Sequence, residues 1–141
     1  MIEEIPVLKI GPVLMVTIQT DLHDRLSEEL QNTILERVWS TSASAVLIDI
    51  TALQTVDSFI GRILSETARM ARIMNAKVVL VGMRPPVTMT LLEMGLEIPD
   101  VETAIDIETG LNKLGYALRE IEKKEDEGET RKNKEWGYGN L

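Results

Sequence analysis

The 141-residue sequence has no cysteine, a single histidine and only 4% aromatic residues. Without cysteine there is no disulfide, no thiol nucleophile and no thiolate metal ligand. Scarce aromatics remove the stacking platforms on which single-stranded nucleic acid is held. No apolar run approaches the roughly 20 residues that span a bilayer, and the opening MIEEIPVLKI lacks a basic region ahead of an apolar core, so neither a membrane helix nor a signal peptide is expected. Positive charge is short as well: 15 Lys and Arg stand against 23 Asp and Glu, a formal net charge of −8. That balance disfavours long-range attraction to nucleic acid or to an anionic membrane and leaves protein partners open. The remaining composition, 44% hydrophobic and 27% charged, is that of an ordinary globular chain. Its length suits one domain with one core, and a cytoplasmic location is expected.

Catalytic signatures are missing too. There is no GxxxxGK[ST] loop, GxGxxG fingerprint or GxSxG elbow. His23 sits among Asp21 and Asp24 at a helix start, where a surface histidine is expected in preference to a metal ligand. Ser58 has no histidine or lysine base in its own segment, and a hydrolytic triad would have to recruit His23 from far along the chain. Asp49 and Asp57 flank one loop and are candidates to hold Mg²⁺ through hard oxygen ligands; the preferred reading is that one caps the loop and the other favours a helix N-terminus. An aspartyl-phosphate receiver would place a lysine just before a proline at the end of a late strand, whereas Lys77 opens its strand and Arg84 precedes Pro85. No enzyme activity, cofactor or metal is expected.

What the chain does have is a regular alternation of apolar periods. Val7–Ile10 and 13–18 predict two strands punctuated by Gly11-Pro12, an opening hairpin. Leu26, Leu30, Ile34 and Val38 recur every four residues and predict a helix from Asp21 to about Ser40, with Thr20, Asp21 and Asp24 competing to cap it. Residues 45–50 predict a buried strand around a lone Asp49. After Ser58 a second helix carries Ile60, Ile63, Leu64, Thr67, Ala68, Ala71 and Met74 on one side. Lys77–Val81 predicts a strand, Pro85 a helix running to Met94 and stopped by Gly95, residues 101–103 an edge strand, and Asp106 the start of a last helix through Leu111, Leu114, Leu118 and Ile121. The fold expected is α/β, a mixed and mostly parallel sheet begun by an antiparallel hairpin, with about four helices. Residues 1–121 make the domain. Residues 122–141, almost wholly charged or glycine-containing around Trp136 and Tyr138, make a solvated or disordered tail.

Ser58 stands where a strand-to-loop segment hands over to a helix N-terminus, and two readings follow. It is either the N-cap of that helix or a hydroxyl displayed for modification. A phosphate there would meet free backbone N–H groups and the favourable end of the helix dipole. Arg62, one turn on, is placed to pair with it, while Asp57 next door would repel it.

The residues Ile48-Asp49-Ile50-Thr51, Val56-Asp57-Ser58-Phe59-Ile60-Gly61, Asn75 to Gly82 with Met83-Arg84-Pro85, and Leu91-Leu92-Glu93-Met94-Gly95 resemble the STAS domain family, which includes the anti-anti-sigma factors. The likeness runs from about residue 5 to 121. Anti-anti-sigma factors commonly read Asp-Ser-Ser-Gly at their phosphorylation loop; the Asp57-Ser58-Phe59-Ile60 variant is similar to the RsbS-type scaffold and antagonist proteins of the stressosome. That resemblance implies a non-enzymatic protein that co-assembles, as homo- and hetero-oligomer, with RsbR-like sensor proteins in a large particle. It implies an RsbT-type serine/threonine kinase held there and released when the loop serine, by position Ser58, is phosphorylated. A resetting phosphatase is implied, with Asp57 orienting the loop and Arg62 and Asp49 supporting it. The lack of sequence for an N-terminal sensor domain favours the RsbS-like over the RsbR-like type. Two alternatives stay open: a freestanding anti-anti-sigma factor binding an anti-sigma kinase, and a small-ligand or nucleotide-binding STAS module.

Overall fold

The structure is a computed structural model and describes residues 5–19, 21–93 and 101–115. The order is β1 (Val7–Ile10), β2 (Val13–Thr17), α1 (Asp24–Thr41), β3 (Ala45–Asp49), α2 (Ser58–Ile73), β4 (Lys77–Val81), α3 (Pro85–Glu93), β5 (Val101–Ala104) and α4 (Ile107–Lys113). The five strands lie side by side in sequence order. β1 and β2 pair antiparallel, Ile10 opposite Val13 across the turn. Every later neighbour is parallel, with Asp49 level with Thr17 on one side and Val81 on the other.

Because strand side chains alternate between faces, the apolar runs of β2, β3 and β4 supply two cores at once. Leu14, Val16, Val46, Ile48, Val78 and Leu80 pack under Leu30, Ile34, Ile60, Leu64 and Ala68 of α1 and α2 and Val87 of α3. Val13, Ala45, Leu47, Val79 and Val81 point the other way and meet Leu111 and Leu114 of α4. Central strands buried on both faces explain why their sequences read as nearly continuous apolar runs. α4 sits close on its face of the sheet. A Cβ at Gly110 would come within 2.6 Å of Val81 Cγ1 and 3.2 Å of Leu47 Cδ1, so only glycine allows that approach.

The expected order and sheet arrangement match the structure, and the differences concern ends and caps. α1 begins at Asp24, not Asp21, and its N-cap is His23, whose Nδ1 accepts from Leu26 N–H at 3.2 Å. Asp21 is used elsewhere: its carboxylate accepts the Gln54 N–H at 3.1 Å and ties the start of α1 to the loop after β3. α2 ends through Asn75 in the left-handed region, with Asn75 N–H bonded to Arg72 C=O and Ala76 N–H to Ala71 C=O. Those are the two bonds of a Schellman motif. The last helix, expected to continue through Leu114, stops at Lys113: Leu114 is its C-cap and Gly115 follows in the left-handed region at φ +80°, its N–H bonded to Asn112 C=O. The stop expected at Gly95, Leu118 and Ile121, the domain boundary at 121 and the tail with Trp136 and Tyr138 lie outside the described residues.

Candidate functional site

The loop between β3 and α2 spans residues 50–57 and is fixed at both ends. Leu53 and Val56 are fully buried and anchor it to the core. Ile50 N–H bonds to Val81 C=O at 3.0 Å, and Leu53 N–H turns back on Ile50 C=O at 2.9 Å. Asp49 closes the turn from the strand side, its Oδ1 accepting both the Thr51 N–H at 3.0 Å and the Thr51 hydroxyl at 2.5 Å. The Thr51 carbonyl in turn accepts from Arg84 Nε at 2.7 Å, linking the loop to the residue just before α3. Gly82 completes the cluster: its φ is +76°, and a Cβ there would sit 1.9 Å from Thr51 Oγ1 and 3.1 Å from Asp49 Oδ1. A side chain at position 82 is excluded twice, by backbone hand and by space.

Beyond that cluster the chain enters α2. Asp57 is extended and its Oδ1 accepts the Ile60 N–H at 2.8 Å, so Asp57 is the N-cap. A carboxylate there also sits favourably at the positive end of the helix dipole. The reading of Ser58 as N-cap is therefore corrected: it is the first residue of the helix proper. The first intrahelical bond runs from Gly61 N–H to the Asp57 carbonyl. The N–H groups of Ser58 and Phe59 thus have no acceptor within the helix. Ser58 is exposed, and its hydroxyl makes no hydrogen bond among the described residues. Phe59 beside it is half-buried against the core, and Ile60 and Gly61 are buried, which pins the helix start from below.

Of the four residues singled out in the sequence, Asp57 and Ser58 are adjacent at the helix start. Arg62, one turn along, is exposed and makes no ion pair among the described residues. Asp49 bonds to Thr51 and not to Asp57 or Ser58. The two carboxylates each serve a turn or a cap, as the preferred reading had it, and among the described residues no group of three His, Asp or Glu is arranged to hold a metal. Thr51, Gly82 and Arg84 were visible only as residues of a motif. Their joint task, bracing the loop from β4, depends on a bond across 33 residues that no local spacing reports.

A mixed sheet covered on both faces, with a braced loop leading into the capped start of α2, sets Ser58 on the surface. The chain belongs to the STAS domain family, matched over residues 4–106. Within that family it is similar to the RsbS and RsbR stressosome proteins. The S58E variant of RsbS from Moorella thermoacetica superposes with a TM-score of 0.71 at 33% identity, covering 80% of this chain and 96% of that one. A chain from the solved architecture of the stressosome, described as a signal integration and transduction hub, gives 0.68 at 36% identity over 78% of this chain and 96% of its own. The RsbT co-antagonist protein RsbRA of Bacillus subtilis strain 168 is 29% identical over 98 residues, 70% of this chain. Those residues are 34% of RsbRA, so the chain spans about a third of the length of that curated relative. No helix among the described residues is long and apolar enough to cross a membrane.

Proposed function

We propose that this chain is a phosphorylatable scaffold and antagonist of a stressosome-like signalling assembly. It holds an RsbT-type serine/threonine kinase and releases it when Ser58 is phosphorylated. RsbR-like STAS proteins with sensor domains are its assembly partners, a phosphatase resets the site, and the complex is cytoplasmic. The observation that carries this reading is the state of Ser58: an exposed hydroxyl, without a hydrogen bond among the described residues, at the first position of a helix capped by its neighbour. The similarity to an RsbS whose solved variant replaces a serine by an acidic residue supports it.

The chemistry of the switch is local. Phosphorylation adds between one and a half and two negative charges and three acceptor oxygens. The Ser58 and Phe59 N–H groups and the dipole end favour that charge, and Arg62 offers a cation one turn away. Asp57 opposes it. The helix stays folded because the cap bond from Ile60 N–H to Asp57 is separate from the hydroxyl. What changes is the outer surface: a partner seated over Ser58 would have to desolvate a dianion next to a carboxylate, and the kinase leaves.

Size-exclusion chromatography of the chain with an RsbT-type kinase, before and after ATP, tests this. Co-elution before ATP and separation afterwards is expected, with Ser58→Ala holding the kinase in both. Separation of the Ser58→Ala complex after ATP would sink the mechanism. A monomer or simple dimer binding the kinase one to one would favour the freestanding anti-anti-sigma reading.

A further inference from the structure

Arg72 stands in the last turn of α2, and Lys77 opens β4 after the turn through Asn75 and Ala76. With Ser44, at the entrance to β3, and Leu114, the C-cap of α4, these residues wall a cleft of about 290 Å³ at the N-terminal end of the sheet. Ala76 and Leu114 are buried and supply its apolar wall, while Arg72, Asn75 and Lys77 are exposed at its rim. α2, 16 residues and about 24 Å long, separates the cleft from Ser58.

Among the described residues neither Arg72 nor Lys77 makes an ion pair or a side-chain hydrogen bond. The end of α2 does not take them up either, because the Asn75 and Ala76 N–H groups already bond Arg72 and Ala71 C=O. No carboxylate lines the cleft. On the two helices that end there, Glu66 of α2 and Glu108 of α4 stand six residues before Arg72 and Leu114, about 9 Å back along each helix. The other charges of those helix ends are Arg69, which has an interaction of its own, and Lys113, whose Nζ is bonded to Thr103 C=O at 2.5 Å. The last charges of α1, Glu36 and Arg37, offset each other. The cleft therefore presents two cations with no anion beside them.

Leu114 is also where the chain leaves the cleft wall. Gly115 follows at φ +80°, and a Cβ there would meet nothing within 4 Å, so the chain passes into open space beside the cleft. The sequence beyond holds Glu125-Asp126-Glu127-Gly128-Glu129, four carboxylates in five residues. The family match ends at residue 106, short of this run. Eleven residues separate Glu125 from Leu114, a reach of up to about 36 Å when extended, so the run can return to the cleft it started from. A tether of that length holds the carboxylates at roughly millimolar effective concentration, which an acidic peptide free in solution does not match. We propose that residues 125–129 of the chain's own C-terminal segment seat in this cleft, their carboxylates paired with Arg72 and Lys77. The pairing lies at an exposed rim and weakens with salt. It involves no residue of the Ser58 switch, so either can fail without the other.

Because the sequence has no cysteine, Thr130→Cys places a single nitroxide label next to the acidic run. Paramagnetic broadening of backbone amide signals in the full chain then reads where the run sits, and the same spectrum reports whether each variant is folded. At low salt the amides of Ser44, Arg72, Asn75, Ala76, Lys77 and Leu114 are expected to lose about half their intensity or more, and those of Ser58 and Phe59 to keep theirs. Arg72→Glu with Lys77→Glu should abolish that loss. So should Glu125→Lys, Asp126→Lys, Glu127→Lys and Glu129→Lys together, and combining the two sets should restore it, since opposite charges then face each other again. No broadening at the cleft, broadening unchanged by Arg72→Glu with Lys77→Glu, or no recovery in the combined chain would overturn the proposal. A mixture of nitroxide-bearing chain with isotope-labelled chain lacking the nitroxide identifies the donor. Broadening there as strong as within one chain would make the occupant a neighbour's segment and overturn the proposal too.

Discussion

Asp57 and Ser58 are neighbours whose side chains have separable tasks, and substitution should separate them. Asp57→Ala removes the acceptor for Ile60 N–H and should cost about 1 kcal/mol, the usual loss at an N-cap, whereas Asp57→Asn should cost little. Ser58→Ala breaks no hydrogen bond among the described residues and should leave the urea midpoint nearly unchanged. Equal losses from Asp57→Ala and Ser58→Ala would contradict the cap assignment. Gly82→Ala should be more harmful than either. The left-handed backbone alone costs about 1–2 kcal/mol with a Cβ present, and Thr51, 1.9 Å from that Cβ, would have to leave Asp49. Thermal melts of the three variants give the ranking. At this scale the sequence showed the polar residues that interrupt apolar patterns, Asp49 and Asp57, because a lone carboxylate beside a buried strand or helix must bond locally. It did not show Arg84, whose partner is a carbonyl reached only after β4 has paired with β3.

Helices and strands were legible where one strong period met one clear boundary. α2 is the best case, with a continuous apolar stripe opened by an Asx cap and closed by Asn75. α1 was read three residues early because Asp21 is as good a cap as His23 in isolation. Only the tertiary bond to Gln54 removes it from the competition. α4 offers two tests. Its N-cap, Asp106, accepts the Thr109 N–H at 2.8 Å, and the backbone bond from Thr109, followed by its side chain, holds the Asp106 carboxyl below the ordinary carboxylate range. With the folded value lowered, the unfolded chain binds this proton first as pH falls. The contribution to stability is complete above the ordinary value near 3.8 and is lost as pH drops through the folded value below it. Asp106→Asn should therefore show a shallower fall in urea midpoint across that acid window, and an unchanged slope would rule the cap out as its source. Gly110→Ala adds helix propensity worth about 1 kcal/mol but drives a Cβ into Val81 Cγ1. A net loss of stability is expected, with Val81→Ala in the same chain partly restoring it. Strictly additive losses in that double-mutant cycle would mean the two residues do not touch.

For the molecule as a whole, the order of elements and the parallel sheet followed from the apolar periods and from the handedness of βαβ crossovers. The loop motif carried the family, and the match over residues 4–106 bears that out. Surfaces were harder to read. The outer surface shared by α1 and α2 depends on two helices set side by side in register, which the Gln31–Thr67 bond supplies and no single helix's pattern contains. Ser58 stands exposed at the start of α2, where the proposed switch would add its charge without disturbing the cap bond from Ile60 N–H to Asp57. The most direct measurement of the central claim is intact-mass analysis of the chain after incubation with an RsbT-type kinase and ATP, wild type beside Ser58→Ala. One added phosphate on the wild type and none on the variant is the predicted result; a phosphate on Ser58→Ala, or none on a wild type that binds the kinase, would contradict it.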